Sequence, residues 1–261
     1  MNTPPKSVIH INFVVGALIF DARPIWSALR VAEQKGRVTL QTAESIQRKF
    51  GRTAIHLGTR HYLLRLAVDE LSAALVDVYK LVPGQGPPTV DGFRVVGGPE
   101  WNRERDRALA AVEMFLYEFR AFLELLAKFS FGVLKEIGNL PASAKLLNGK
   151  VIRISTKSGS VRSHEFLQYM CEQLGLSVDW FAFLTDHRNF FTHEGAPYCA
   201  IEDRQTTVPE YDLLVMRENI HDFTKARPED YFRASECQAV VSGIVALSGA
   251  LQNHVISLLE K

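Results

Sequence analysis

The stretch of this chain whose side chains could do chemistry is Asp186-His187-Arg188-Asn189-Phe190-Phe191-Thr192-His193, followed directly by Glu194-Gly195-Ala196-Pro197. Arginine grips phosphate with a planar fork of donors and cannot be deprotonated in a protein. Histidine exchanges a proton near neutrality. A guanidinium for phosphate and an imidazole for the proton are two of the parts needed to break an RNA phosphodiester without a metal, by attack of the 2′-hydroxyl. In that division of labour His193 takes the 2′-hydroxyl proton or protonates the leaving oxygen. Arg188 stabilises the charge of the phosphorane-like transition state, the electrostatic role that usually contributes most. Asn189, with Asp186, orients the imidazole and fixes its tautomer. Asp186 and Thr192 are the further polar candidates for holding substrate.

Helical geometry restricts how these groups meet. Residues five apart on an ideal helix diverge by roughly 140°, so Arg188 and His193 do not share a face while the helix stays regular. Asn189 and His193 are i,i+4 neighbours, and Asp186 falls on their side. Arg188 aligns instead with Phe181 and Leu184 on the apolar face. A joint site therefore requires the last turn to unwind, or a second copy of the helix to face the first across a two-fold axis. The same residues also have a purely structural reading. A histidine in the last turn of a helix caps its carbonyls, and an arginine among aromatics buries its stem while its head reaches water.

The elements that must position the motif are mostly helical. Residues 24–36 read as a short helix, and 42–50 as a second short piece before Gly51. Leu57, Leu64, Leu71 and Val78 recur every seven residues, with Ala67, Ala74 and Leu81 three places on, which predicts a long amphipathic helix over roughly 54–82. Pro83-Gly84-Gln85-Gly86-Pro87-Pro88 stops it, and residues 83–99 read as an exposed loop. A second long helix carries Leu109, Val112, Leu116, Phe119, Leu123, Leu126, Val133 and Ile137, with Phe115, Phe122 and Phe129 as a second stripe, and ends at Gly138. Two stripes mean two neighbours, as in a bundle.

Residues 139–162 read as an insertion with a strand at Lys150–Ser155 and a turn at Lys157–Ser160. A third helical region opens at Ser163 with Glu165 in its first turn, breaks at Gly175, and restarts after Ser177 as the motif helix, Val178 to about His193. Tyr198–Ile201 and Tyr211–Met216 predict a small hairpin around residues 203–209. A last helix is expected from Pro228-Glu229-Asp230 along Cys237, Val241, Ile244, Leu251, Val255 and Leu258. The expected fold is mainly α: a bundle of four long helices with short N-terminal elements and two small β insertions. Its parts divide into an extension, 1–52, and a helical domain, 53–261, with insertions near 83–99, 139–162 and 196–220.

The totals exclude some function classes. A formal net charge of +1 over 261 residues gives no global basic field, so any nucleic-acid contact must be local. Cys171, Cys199 and Cys237 are far apart and lack C-x-x-C spacing, which argues against a disulfide scaffold or a regular zinc site. A reduced, cytoplasmic setting is the simplest expectation. The apolar run Val8–Phe20 is too short to span a bilayer and has no small-residue cleavage site after it; alternation of Ile9, Ile11, Phe13 and Val15 fits a short strand. There is no P-loop, no GxGxxG and no His/Glu/Asp metal cluster, so no cofactor, no metal and no membrane association are expected.

An Arg-polar-x3-His motif near the end of an internal helix, carried here by Arg188, Asn189 and His193 within long helices from about 54 to 260, resembles the HEPN superfamily (higher eukaryote and prokaryote nucleotide-binding domains). The resemblance implies a homodimeric, metal-independent endoribonuclease of a defence or toxin-type system, leaving a 2′,3′-cyclic phosphate. Its partners would be RNA and an antitoxin or regulatory protein. It equally accommodates an inactive module that binds RNA, nucleotide or a partner protein. One subgroup carries a tyrosine two residues after the histidine; here that position is Gly195, which departs from the pattern and argues against an antitoxin that modifies such a tyrosine. A third reading is a helical scaffold in which the motif only packs.

Secondary candidates are fewer. Arg103, Arg105 and Arg107 alternate with Glu104 and Asp106 as in a solvated helix start. Lys150, Arg153, Lys157 and Arg162 form an acid-free basic stretch able to touch phosphates. His254 reads as a core histidine, and Glu70 as a carboxylate near the bundle.

Overall fold

The computed structural model describes residues 7–8, 20–81, 93–95, 102–138, 140, 145–147, 150–152, 163–194, 199–204, 210–217 and 230–261. Its helices are α1 (Arg23–Gln34), α2 (Leu40–Leu81), α3 (Asn102–Glu136), α4 (Ser163–Gln173), α5 (Asp179–Glu194) and α6 (Cys237–Glu260). Its strands are β1 (Ser7–Val8), β2 (Phe93–Val95), β3 (Lys145–Leu147), β4 (Lys150–Ile152), β5 (Cys199–Arg204), β6 (Glu210–Met216) and β7 (Tyr231–Arg233). The chain is mostly helical, as expected from its periodicity.

Two compact units divide the contacts. One comprises 1–14, 64–118 and 183–240; the other comprises 15–63, 119–182 and 241–261. Helices α2, α3, α5 and α6 each contribute to both. The first unit holds a five-stranded sheet. In it β6 pairs in parallel with β1 and antiparallel with β5 and β7, and β5 pairs antiparallel with β2. Residues Tyr211–Met216 of β6 are all buried, as a central strand covered on both faces must be. The carboxylate buried among them, Asp212, accepts hydrogen bonds from the Ser235 backbone N–H and hydroxyl, while Arg233 clamps Glu202 with two bonds of 2.8 Å. These bonds satisfy polar groups that burial would otherwise penalise.

The expected hairpin is present as β5 and β6, but the sheet is larger than an insertion. Phe93–Val95 falls in the stretch expected as loop and forms β2 on β5. Tyr231–Arg233 falls in the expected last helix and instead pairs with Leu214–Met216. The last helix therefore begins at Cys237, not near residue 228. Ser7–Val8 forms β1, and the alternating residues that follow it up to Ile19 lie outside the described residues.

The second unit is built on aromatic packing. Phe129 of α3 meets Phe20 and Trp26 edge-to-face at 5.2 and 5.8 Å, and Phe131 meets Phe166 of α4 at 5.4 Å. Two glycines let helices approach: a methyl at Gly132 would collide with the Phe50 ring of α2, and one at Gly243 with the Trp180 indole of α5. Here β3 and β4 pair directly, with Asn148-Gly149 between them, the dipeptide that two-residue hairpin loops favour. The expected strand at 150–155 therefore turns back on residues before it. Residues 157–160, the expected turn, lie outside the described residues.

Helix α2 differs from expectation in being one helix. The sequence suggests two pieces with a break at Gly51; the helix instead runs unbroken from Leu40 to Leu81. It starts where Thr39 Oγ1 accepts the Thr42 backbone N–H at 3.1 Å, an N-cap bond. The seven-residue seam of buried Leu57, Leu64, Leu71 and Val78 extends upstream through half-buried Phe50 to buried Ala43, and this seam outweighs the roughly 0.5–1 kcal/mol that a helix-interior glycine costs. The boundary expected at 52/53 thus falls inside a single helix. At the far end of α3, Gly138 adopts φ +75°, and between α4 and α5 Gly175 adopts φ +66°, left-handed stops that glycine takes without a Cβ clash.

The segment Ala234–Glu260, α6 with the turn before it, is long and apolar enough to cross a membrane by length and composition. Its buried residues Val241, Ile244, Leu247, Leu251, Val255 and Leu259 recur every three or four positions, the stripe of a helix packed along one side.

Candidate functional site at the end of helix α5

The motif helix begins where expected. Ser177 Oγ accepts the Asp179 backbone N–H at 3.3 Å, and the Trp180 indole donates to the Ser177 carbonyl at 3.1 Å. Phe181, Leu184, His187 and Phe191 are buried, so α5 turns one stripe inward and leaves Asp186 and Asn189 exposed. Helical backbone continues through Glu194. The last turn is therefore not unwound, and one of the two routes to a joint site of Arg188 and His193 is closed within a single protomer.

Arg188 lies at the border of the two faces, half-buried. Its guanidinium sits over the ring of Tyr117 on α3, 5.2 Å from the ring centroid, and donates from Nη1 to Asn189 Oδ1 at 3.3 Å. The aromatic face attracts the cation and the amide helps to fix its fork. Three groups from two helices thus form one surface: a guanidinium, a neighbouring amide and a ring that is 38% exposed. The structure brings Arg188 and Asn189 together and leaves Asp186 exposed nearby on the same helix. The side chains of Thr192 and His193 lie outside the described residues, although their backbone belongs to α5.

His187, between Asp186 and Arg188, has a different fate. It is 7% exposed, stacked on Phe232 at 4.1 Å and edge-on to Phe183 at 4.5 Å. Burial, reinforced by the positive charge of Arg217, lowers its pKa to about 4. At neutral pH it is an uncharged aromatic slab that seats α5 on β7.

Tyr117 is a contributor that the sequence did not single out. A signal existed: Phe115 and Phe119 belong to the buried stripes of α3, whereas Tyr117 lies two residues from each, on the solvent side. An aromatic on the polar face of a core helix is a reason to look for a partner.

Other sequence candidates resolve more simply. Arg107 bonds Asp77 at 2.5 Å and Glu70 at 3.3 Å, and Arg105 bonds Asp106 at 2.8 Å, so Arg105 and Arg107 are engaged in ion pairs. Arg153, Lys157 and Arg162 lie outside the described residues. Burial holds the pKa of His254 below the usual histidine value. The three cysteines are buried and free of disulfides; burial pushes the Cys171 and Cys199 thiols up to about 12 and raises that of Cys237, so none is a poised thiolate. Among the described residues no group of three His, Cys, Asp or Glu side chains is placed to hold a metal ion. Family models, curated proteins and solved structures were compared with the chain, and none of them matches it.

Proposed function

We propose that the chain is a HEPN-type, metal-independent endoribonuclease that acts as a homodimer. The observation that carries the reading is the surface of Arg188, Asn189 and Tyr117 at the end of an unbroken α5. A guanidinium is suited to the scissile phosphate, and the exposed ring beside it offers a base a face to stack on. Because α5 stays helical to Glu194, His193 of the same protomer diverges from Arg188 by roughly 140°. The working cleft is then composite, with the motifs of two protomers facing each other across a two-fold axis. His193 moves the proton, Arg188 stabilises transition-state charge, Asn189 and Asp186 orient the imidazole, and Thr192 contacts substrate. A cytoplasmic defence or toxin role with a regulatory partner fits this reading.

One observation favours a second reading, an inactive module that binds RNA or nucleotide. Arg188 is already engaged by Tyr117 and Asn189, and that surface needs no histidine to hold a phosphate and a base.

RNA cleavage in the presence of EDTA separates the two, comparing wild type with His193→Ala and Arg188→Ala after circular dichroism has confirmed that all three fold. The nuclease predicts cleavage by wild type alone, with 2′,3′-cyclic phosphate ends and a dimer in solution. Absence of cleavage across varied RNAs, with binding lost in Arg188→Ala, replaces it with the module.

A further inference from the structure

We propose that the groove between α1 and the N-terminal half of α2 is a binding site for a small organic monoanion with an aromatic or aliphatic body. The groove lies wholly within the second unit and is an open concavity of about 470 Å³, within the range of pockets that hold small organic ligands. One wall is the half-buried indole of Trp26, braced by Phe129 behind it; Ile55, 71% exposed, also lines the groove and presents a large apolar side chain to solvent.

Charge selects the ligand class. Arg30 and Gln47 line the groove and form no hydrogen bond or ion pair with any described residue. The groove also contains a carboxylate, Asp21, but Arg23 holds it at 2.7 to 3.0 Å through its side chain and 2.9 Å through its backbone N–H. With Asp21 and Arg23 offsetting each other, the lining keeps one positive charge, at Arg30. A single cation beside an amide suits one carboxylate or sulfonate; a polyphosphate would meet one partner and one repelling carboxylate.

The floor supplies an independent observation. Gly51 and Gly58 lie one heptad apart on α2, in the interior of a helix. A Cβ at either would meet nothing within 4 Å, in contrast to Gly132 and Gly243, where neighbouring rings demand glycine. Neither packing nor helix propensity explains glycine at 51 and 58. What glycine provides there is depth, since any side chain would project into the groove. The ligand's apolar body lies over that floor against Trp26, with its anionic group bonded by Arg30 and the Gln47 amide.

The probe is 8-anilinonaphthalene-1-sulfonate, titrated against the full chain by fluorescence, with stoichiometry from equilibrium dialysis. N-phenyl-1-naphthylamine serves as the uncharged counterpart. Wild type is expected to bind the sulfonate at one saturable site. Gly58→Leu, which fills the groove without a clash, weakens that binding at least tenfold while its melting temperature does not fall; should this variant fail to fold, Gly51→Leu gives the same readout. Gly249→Leu, the same change on α6, outside the groove's lining and also in open space, leaves binding intact. Arg30→Gln weakens the sulfonate by about three- to fivefold, the scale of an exposed charge, and spares the uncharged probe. Unaltered sulfonate binding in the groove-filling variant, non-saturable binding, or equal effects of Arg30→Gln on both probes would each overturn the proposal. None of these readouts involves RNA cleavage, so this site and the nuclease stand or fall separately.

Discussion

At the end of α5 a guanidinium, an amide and an aromatic ring meet on an exposed helix surface, whereas between α1 and α2 a concave groove is lined by an indole, an isoleucine, two glycines and the cation of Arg30. The first region presents groups suited to phosphate on an exposed helix surface. The second is concave, and its one carboxylate, Asp21, is tied to Arg23. Chemistry and containment are thus carried by different parts of the chain. The first needs something added, a second protomer or an RNA, to become a site. The second is already shaped and needs only an occupant.

The contrast is most exposed to test at the motif. His193→Ala and Arg188→Ala should each lower RNA cleavage by about a hundredfold or more while leaving the melting temperature within a few degrees. Activity surviving Arg188→Ala within tenfold would remove the motif from the chemistry and leave α5 as scaffold.

The next effect lies on the inner face of the same helix. His187 has a folded pKa near 4 against 6.5 unfolded, so the unfolded chain binds a proton that the folded chain refuses. The fold has its full stability above pH 6.5 and loses it as pH falls from there toward 4. The loss amounts to about 3 kcal/mol, because each pH unit between the two values is worth roughly 1.36 kcal/mol. Chemical denaturation across that window measures it, and His187→Phe should flatten the profile. A stability profile as steep in the variant as in wild type would mean that other groups set the acid limit.

The glycines distinguish packed from open surfaces. Gly132→Ala forces a methyl into Phe50 and should destabilise by about 1–3 kcal/mol. Gly58→Ala meets open space and should stabilise by about 0.5–1 kcal/mol, through helix propensity and a less flexible unfolded chain. Opposite signs from the same chemical change, read by thermal melts, would show that packing does not require glycine at 58, as the groove needs; a loss at Gly58 would refute it. Smallest is Tyr117→Ala, which removes an exposed cation–π contact and a stacking face. RNA affinity should fall by about 1 kcal/mol with little change in melting temperature.

Much of the scaffold was legible because periodicity survives translation into structure. The stripes of α3 are buried as their spacing requires, and α4 and α5 part at Gly175. The misreadings have specific causes. Gly51 reads as a break because glycine is a local breaker, whereas the seam that carries the helix past it runs upstream to Phe50 and Ala43. Strands β2 and β7 are three residues each, too short for alternation to register, and exist because β5 and β6 offer open edges to pair with. At the motif, residue types and spacing pointed to Arg188, Asn189 and His193, and α5 keeps through Glu194 the helical backbone on which positions 188 and 193 diverge.

Local sequence was enough for the helical class, the position of α5, the stop signals at Gly138 and Gly175, and the presence of a cation and an amide side by side at 188 and 189, because these follow from propensity and periodicity. Long-range packing was needed to seal His187 against Phe232 while its neighbour Arg188 meets Tyr117, and to complete one sheet from distant three-residue strands. It was needed, too, for Gly51 and Gly58 to open a groove while Gly132 and Gly243 close a contact. The physical reason is range: a helix is specified by residues three and four apart, but a side chain's neighbours, and hence its charge state and reach, are set by elements tens of residues away.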